Sequence, residues 1–193
     1  MIKAYASHPV NLVPQWVNAL GDGEWIASFS CYKYVPQTIV DKRERFKIPI
    51  ARITPQWLEA KIAELPADSE LALDSVLRFG RHEMHIPMVD FAADLCRRKE
   101  VIAWVAENLN FELQLFSSGR SYHAYGIKPV SRKKWVHLMG LLLLANMPDK
   151  PALIDTRWVG HRLLAGYSSL RWSLNSSHYL SIPTSLLPGK KRE

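Results

Sequence analysis

Three polar segments of the sequence contain residue types that bind phosphate groups or divalent cations. The first is an apolar run that ends at an acid, Asp90. Side chains two residues apart share a strand face, so Asp90 is expected on the face that also carries His82, Met84, Ile86 and Met88. A carboxylate held on a rigid strand suits Mg²⁺ or Mn²⁺. Asp90 could equally cap the helix expected after it, and the sequence leaves both roles open.

The second segment is Ser118-Gly119-Arg120-Ser121-Tyr122-His123, which opens a strand. Gly119 permits a tight turn whose backbone N–H groups can approach a phosphate. Ser121 and His123 are two residues apart and can therefore project from one strand face, and Arg120 adds positive charge. A single strand histidine is more often structural, but this combination favours a phosphate or nucleotide contact.

The third segment spans residues 155–173. Arg157, His161 and Arg162 lie at helical spacing, which is typical of a basic surface that contacts either solvent or an anion. Arg171 is different because its neighbours Leu170 and Trp172 are expected on the opposite, buried strand face. Arg171 is therefore harder to explain as part of a solvated basic surface.

The elements that position these segments follow from periodicity and turn residues. Two N-terminal helices begin near Pro14 and Pro55, with Thr54 as a cap. Gly80-Arg81 predicts a hairpin. The strands are expected at residues 24–35, 46–53, 71–79, 82–90, 112–116 and 122–127 and in a closing hairpin of 169–174 with 178–182; the later helices are expected at 93–109, 131–145 and 156–164.

This order predicts an α+β fold. Residues 70–193 are expected to form an antiparallel split βαβ sheet like that of an RNA-recognition motif, with helices on one face. Residues 1–69 are expected to form an N-terminal α/β part packed on that core. The length of 193 residues favours one compact domain.

The charge distribution indicates the kind of partner. Residues 1–119 contain 13 Lys and Arg against 15 Asp and Glu, and residues 120–193 contain 12 against 3, so the positive excess lies in the C-terminal part. This asymmetry predicts a phosphate-bearing partner such as DNA, RNA or a nucleoside triphosphate. The apolar runs are too short for a membrane span, no secretory signal is visible, and Cys31 and Cys96 form no metal or disulfide motif. We expect a cytoplasmic protein without a membrane partner.

Taken together and in this order, the three segments resemble the archaeo-eukaryotic primase superfamily, which includes primase small subunits and primase-polymerases. That family shows an acid-x-acid pair at a strand end, a small-x-His strand after a Ser-Gly turn, and a helix followed by a Ser-x-basic strand. Asp90-Phe91-Ala92, the 118–123 segment, residues 156–164 and residues 168–173 stand in those places. The resemblance covers roughly residues 70–185.

The resemblance implies roles for individual residues. Catalytic carboxylates would be Asp90 and Asp155, which would also hold a Mg²⁺ or Mn²⁺ ion. Asp94 does not have the family spacing and is a further candidate metal ligand because it lies four residues after Asp90. Nucleotide phosphates would be held by Arg120, Ser121, His123, Lys128, His161 and Arg171. The positive charge of the C-terminal part, rather than the resemblance, predicts contacts to a nucleic-acid strand from Arg132, Lys133, Lys134, Arg157 and Arg162.

One departure from the family pattern bears on catalysis. Ala92 stands where the second acid of the pair is expected, so a two-metal site is incomplete. Asp155 can serve as the third acid, although alignment on His161 would place that acid nearer Ala152. The leading hypothesis is a primase-like protein that binds nucleic acid or nucleoside triphosphate, with weak or lost nucleotidyltransferase activity.

Two alternatives remain open at this point. In the first, Asp94 and Asp155 complete the metal site of an active primase or primase-polymerase. In the second, the chain is a non-catalytic subunit that docks onto a helicase, nuclease or defence partner through an aromatic surface containing Trp16, Trp57 and Trp104.

Overall fold

The computed structural model describes residues 5–186, and its fold is α+β with antiparallel strands, as the sequence predicts. The strands are β1 (Ile26–Tyr32), β2 (Glu44–Pro49), β3 (Glu70–Phe79), β4 (His82–His85), β5 (Met88–Asp90), β6 (Leu113–Ser117), β7 (Tyr122–Gly126), β8 (Val130–Ser131), β9 (Ser169–Arg171) and β10 (Thr184–Ser185). The helices are α1 (Val13–Leu20), α2 (Pro55–Ala63), α3 (Arg98–Asn108), α4 (Arg132–Leu143) and α5 (Thr156–Ala165).

The strands form two sheets. The first has the order β2-β1-β3-β4-β8, and β9 also pairs with β3; the second has the order β10-β6-β7-β5. Strands from both sides of residue 70 therefore share the first sheet. Within the described residues, no helix is long and apolar enough to cross a membrane.

Short-range capping explains where the helices begin and end. Thr54, Ser131 and Asp155 each accept a hydrogen bond from a backbone N–H three residues later, at the starts of α2, α4 and α5. Gly166 ends α5 in the left-handed conformation that glycine adopts without strain. These helices lie where the sequence predicts them.

The predicted strand at 82–90 is divided in two, which corrects the sequence analysis. The hairpin at Gly80-Arg81 forms, but β4 ends at His85 and β5 belongs to the second sheet. Pro87 has no backbone N–H, so a continuous ladder through it is disfavoured. The Pro87 carbonyl instead accepts from Gly126 N–H (2.7 Å), and a Cβ on Gly126 would lie 2.6 Å from the proline ring. The expected shared face from His82 to Asp90 is therefore interrupted.

The second sheet follows the predicted β-α-β-β order, but the predicted closing hairpin is wrong. β5 lies beside β7, whereas β9 pairs with β3 in the first sheet and residues 178–182 form no strand. The buried Glu70 carboxylate gives the physical reason. It accepts hydrogen bonds from Ser173 Oγ, Asn175 N–H (3.0 Å) and Ser176 Oγ (2.7 Å), which hold the turn beside β3.

The helix predicted at 93–109 begins later. Asp94 caps a 3-10 turn by accepting from Cys96 N–H (2.9 Å), and α3 starts at Arg98. Val101 is the buried residue of α3, whereas the apolar residues Leu95 and Ile102 are exposed.

Two apolar clusters form the core, and they account for the tryptophans. Trp16 is fully buried and its indole N–H donates to the Gly126 carbonyl (2.8 Å). Trp57 and Trp104 are partly buried against the two clusters. Trp16 therefore cannot belong to the aromatic surface that the sequence predicts from these three residues, whereas Trp57 and Trp104 remain partly exposed.

Candidate functional site

A cavity of about 610 Å³ lies where loops of both sheets meet α5. We define the cavity loop as residues 33–43, between β1 and β2. The lining of the cavity includes seven Lys and Arg side chains, three histidines and three aspartates: Lys33, Lys42, Arg43, Arg120, Arg157, Arg162, Arg171, His123, His161, His178, Asp41, Asp90 and Asp155. This excess of positive charge makes the cavity attractive to anions.

Two acids meet at one end of the cavity. Asp90 ends β5 and Asp155 caps α5, and the Asp155 N–H donates to the Asp90 carbonyl (3.1 Å). Burial raises the pKa of Asp90 well above its usual range, the charge of Asp155 raises it further, and Arg171 opposes them. Asp90 does not cap the helical segment that follows, since Asp94 does. The two carboxyl groups interact electrostatically and can together attract a cation.

His123 faces Asp90 from the adjacent strand β7. Its Nε2 atom lies 3.6 Å from Asp90 Oδ1, and the two residues are directly opposite in the ladder. Burial, with a smaller contribution from Arg171, lowers the pKa of His123 to about 3, so the imidazole is neutral at physiological pH. Its buried Nδ1 atom has no hydrogen-bond partner within residues 5–186.

Arg171 supplies a fixed positive charge from β9. It is only 4% exposed and donates to three carbonyl oxygens, those of Ser118 (2.8 Å), Ser181 (3.0 Å) and Ser173. Its Nε atom has no partner in the described part of the chain. Because carbonyl groups orient the guanidinium without neutralising it, its charge is left for an anion in the cavity.

The cations of α5 contact the cavity loop. Arg157 and His161 (3.1 Å) both donate to the Thr38 carbonyl, and Arg162 donates to Asp41. Asp41 also accepts from Arg43 Nε through both oxygens (2.9 and 2.8 Å). Burial lowers the pKa of Arg162 to about 10, so it stays protonated. Its Nε and Nη1 atoms have no partner among residues 5–186.

The cavity brings together eight of the residues that the sequence singled out. They are Asp90, Arg120, His123, Asp155, Arg157, His161, Arg162 and Arg171.

Six other predicted site residues do not line it. Ser121 Oγ donates to the carbonyls of Phe91 and Ala93 (2.7 Å) and so holds β5 to β7. Asp94 caps a helical turn, and Lys128 is exposed elsewhere. The others, Arg132, Lys133 and Lys134, are exposed in the first turn of α4.

Sequence reasoning missed the contribution of the cavity loop and of residues 178–180. Asp41 and Arg43 lie in a charged stretch to which no function was assigned, and Tyr34 lies at the end of a predicted strand. His178 and Tyr179 were assigned to the strand that does not form. The density of Lys and Arg within residues 33–43 was the one signal that could have indicated a role.

Among residues 5–186, no group of three or more His, Cys, Asp or Glu side chains is placed to hold a metal ion. A Mg²⁺ ion, however, is commonly bound by one or two carboxylates together with water and substrate phosphates. Asp90 and Asp155 fit that mode, because a cation between them would offset both the burial and the repulsion by Asp155 that raise the pKa of Asp90.

Comparison with known proteins gives the family. A family model described as archaeo-eukaryotic primase 1D-like matches residues 49–184, well over half of the chain and all of α5 and β9. The chain belongs to this family. The resemblance found in the three polar segments is thereby confirmed, and the match also takes in α2 and part of β2, which lie before the region of that resemblance.

One solved structure is also similar, the catalytic domain of primase Repb' in complex with initiator DNA. The identity is 14% and the TM-score is 0.35, over 60% of this chain and 54% of that one. The chain thus spans about half the length of that domain. A search of curated proteins found no match.

Proposed function

We propose that the cavity binds the phosphates of a nucleoside triphosphate or of a nucleic-acid strand, and that nucleotidyl transfer by this primase-family protein is weak or lost. The carrying observation is the set of seven Lys and Arg side chains in one cavity, two of which, Arg162 and Arg171, are buried with unpartnered N–H groups. A buried donor without a partner costs free energy that a phosphate oxygen would recover.

Each group has a distinct part in this proposal. Arg171 and the neutral His123 contact phosphate oxygens beside the acids, while Arg157, His161 and Arg162 contact phosphates along α5. Asp90 and Asp155 would hold one Mg²⁺ or Mn²⁺ ion, which when bound neutralises the acids and polarises a phosphate oxygen. Ala92 supplies no second acid beside Asp90, and Asp94 is occupied as a cap. This is why we expect little catalysis.

Calorimetry with a nucleoside triphosphate, with and without MnCl₂, tests the proposal directly. We expect saturable binding that strengthens with Mn²⁺ and falls at least tenfold in Arg171→Gln. Primer synthesis on single-stranded DNA with Mn²⁺ tests the catalytic part, and we expect little or no product. A folded protein that binds neither the triphosphate nor DNA at low salt would refute the binding function, and rapid primer synthesis would refute the loss of catalysis.

A further inference from the structure

Three aromatic rings stand together in the wall of the cavity. The Tyr34 and His178 rings are stacked, with centroids 4.0 Å apart and an interplanar angle of 22°. Tyr179 meets both edge-on, at 6.1 Å from Tyr34 and 4.8 Å from His178. All three residues line the same cavity as the cations of α5 and β9.

The Tyr179 side chain makes two further contacts. The Tyr179 hydroxyl lies 3.2 Å from the Tyr32 hydroxyl, and the Arg171 guanidinium sits 4.1 Å from the Tyr179 ring centroid. The cluster is therefore connected directly to the cation that we assign to phosphate binding.

The Tyr34 ring is only partly covered. Tyr34 is 45% exposed although one face of its ring rests on His178. A single exposed tyrosine needs no explanation. A stacked pair that opens into a cationic cavity is more specific, because a ligand with a flat ring and a negative group can contact both parts at once.

We propose that the Tyr34–His178 pair is a nucleobase-stacking subsite, in which the base packs on the Tyr34 ring while its phosphates contact the cavity cations. This rests on the proposed phosphate-binding function and deepens it. Aromatic side chains stack on any base, so the subsite adds affinity for nucleotides without selecting a sequence. The base can belong to a free nucleoside triphosphate or to a single strand, and the chemistry of the contact is the same.

The experiment separates base binding from phosphate binding. The affinities of the wild type, Tyr34→Ala and Tyr34→Phe are measured for a nucleoside triphosphate and for inorganic tripolyphosphate, which has no base. We expect Tyr34→Ala to lose about 5- to 150-fold in triphosphate affinity, the equivalent of roughly 1–3 kcal/mol per stacked base. Its affinity for tripolyphosphate should stay unchanged, and Tyr34→Phe should retain both.

Two further variants complete the design. Ile39→Ala, in the same loop and 81% exposed, is the matched control and should change neither affinity. His178→Ala should repeat the selective loss, which keeps the test valid if Tyr34→Ala does not fold. A thymidine oligonucleotide and its abasic counterpart show whether the base comes from a strand.

The outcomes are distinct. Equal losses for both ligands in Tyr34→Ala, or an unchanged triphosphate affinity, would overturn the stacking subsite while phosphate binding stands. A wild type that binds none of these ligands would overturn the proposed function and the subsite with it.

Discussion

The contact between Asp41 and Arg162 joins the cavity loop to α5, and replacing Asp41 by alanine tests it. Arg162 is 1% exposed, and Asp41 is its ion-pair partner. Two other nitrogen atoms of Arg162 have no hydrogen-bond partner within residues 5–186. Asp41→Ala would therefore leave a buried guanidinium without a counter-charge, and would also release Arg43.

The magnitude follows from burial. Removing one partner of a buried ion pair costs about 3–5 kcal/mol in the free energy of unfolding, because the remaining charge stays desolvated. Asp41 is 24% exposed, so water reaches the pair and we expect the lower end, about 3 kcal/mol. Urea denaturation at neutral pH measures this loss as a lower midpoint with an unchanged slope.

The matched control is Glu64→Ala. Glu64 pairs with Lys61 on the surface of α2, where its side chain is 65% exposed, so its removal should cost at most about 1 kcal/mol. The freed guanidinium groups also predict that tripolyphosphate stabilises Asp41→Ala more than the wild type. A loss no larger than that of Glu64→Ala, with no added response to tripolyphosphate, would refute the dependence of Arg162 on Asp41.

Three further predictions concern the acids and the basic surface. Because the folded pKa of Asp90 is raised, its contribution to stability is present at low pH and lost as pH rises through that pKa. The urea midpoint of Asp90→Asn should therefore increase relative to that of the wild type as the pH is raised through this range. Titration with Mn²⁺ should show weaker binding to Asp90→Asn than to the wild type. A parallel pH dependence in both proteins would contradict this. Ala92→Asp should restore the acid pair and increase Mn²⁺ affinity, measured by calorimetry; undetectable Mn²⁺ binding in this folded variant and in the wild type would show that no metal site remains at Asp90. The double variant Lys133→Glu, Lys134→Glu should leave triphosphate affinity unchanged, since both residues lie outside the cavity. It should lower the affinity for a long oligonucleotide and flatten the dependence of that affinity on salt. An unchanged salt slope would exclude α4 from the strand-binding surface.

The helices and the first hairpin could be predicted because their signals are short-range. Thr54, Ser131 and Asp155 each cap a helix through an atom three residues away, and Gly80-Arg81 turns β3 directly into β4. The family-like motifs are short-range as well, which is why the three polar segments contain the eight predicted site residues that line the cavity.

The division of the strands into two sheets could not be predicted from short-range signals. Pro87 interrupts the run 82–90 already in the sequence. The packing of Pro87 on Gly126 and the pairing of β5 with β7, however, place the second half of that run in another sheet. The closing hairpin failed for a similar reason, since Glu70 binds a turn more than 100 residues away. Such pairings depend on which strand edges and buried polar groups remain free after the rest of the chain has packed.

The amino-acid sequence by itself determined the α+β class, the positions of the main helices, the family, and the residues of β5, β7, α5 and β9 that line the cavity. The tertiary structure alone decided which other residues line the cavity opposite these. Asp41 is 121 residues from Arg162, and Tyr34 and His178 come from opposite ends of the chain. Local periodicity describes one element at a time, whereas a counter-charge or a stacked ring is chosen by the packing that brings distant loops together.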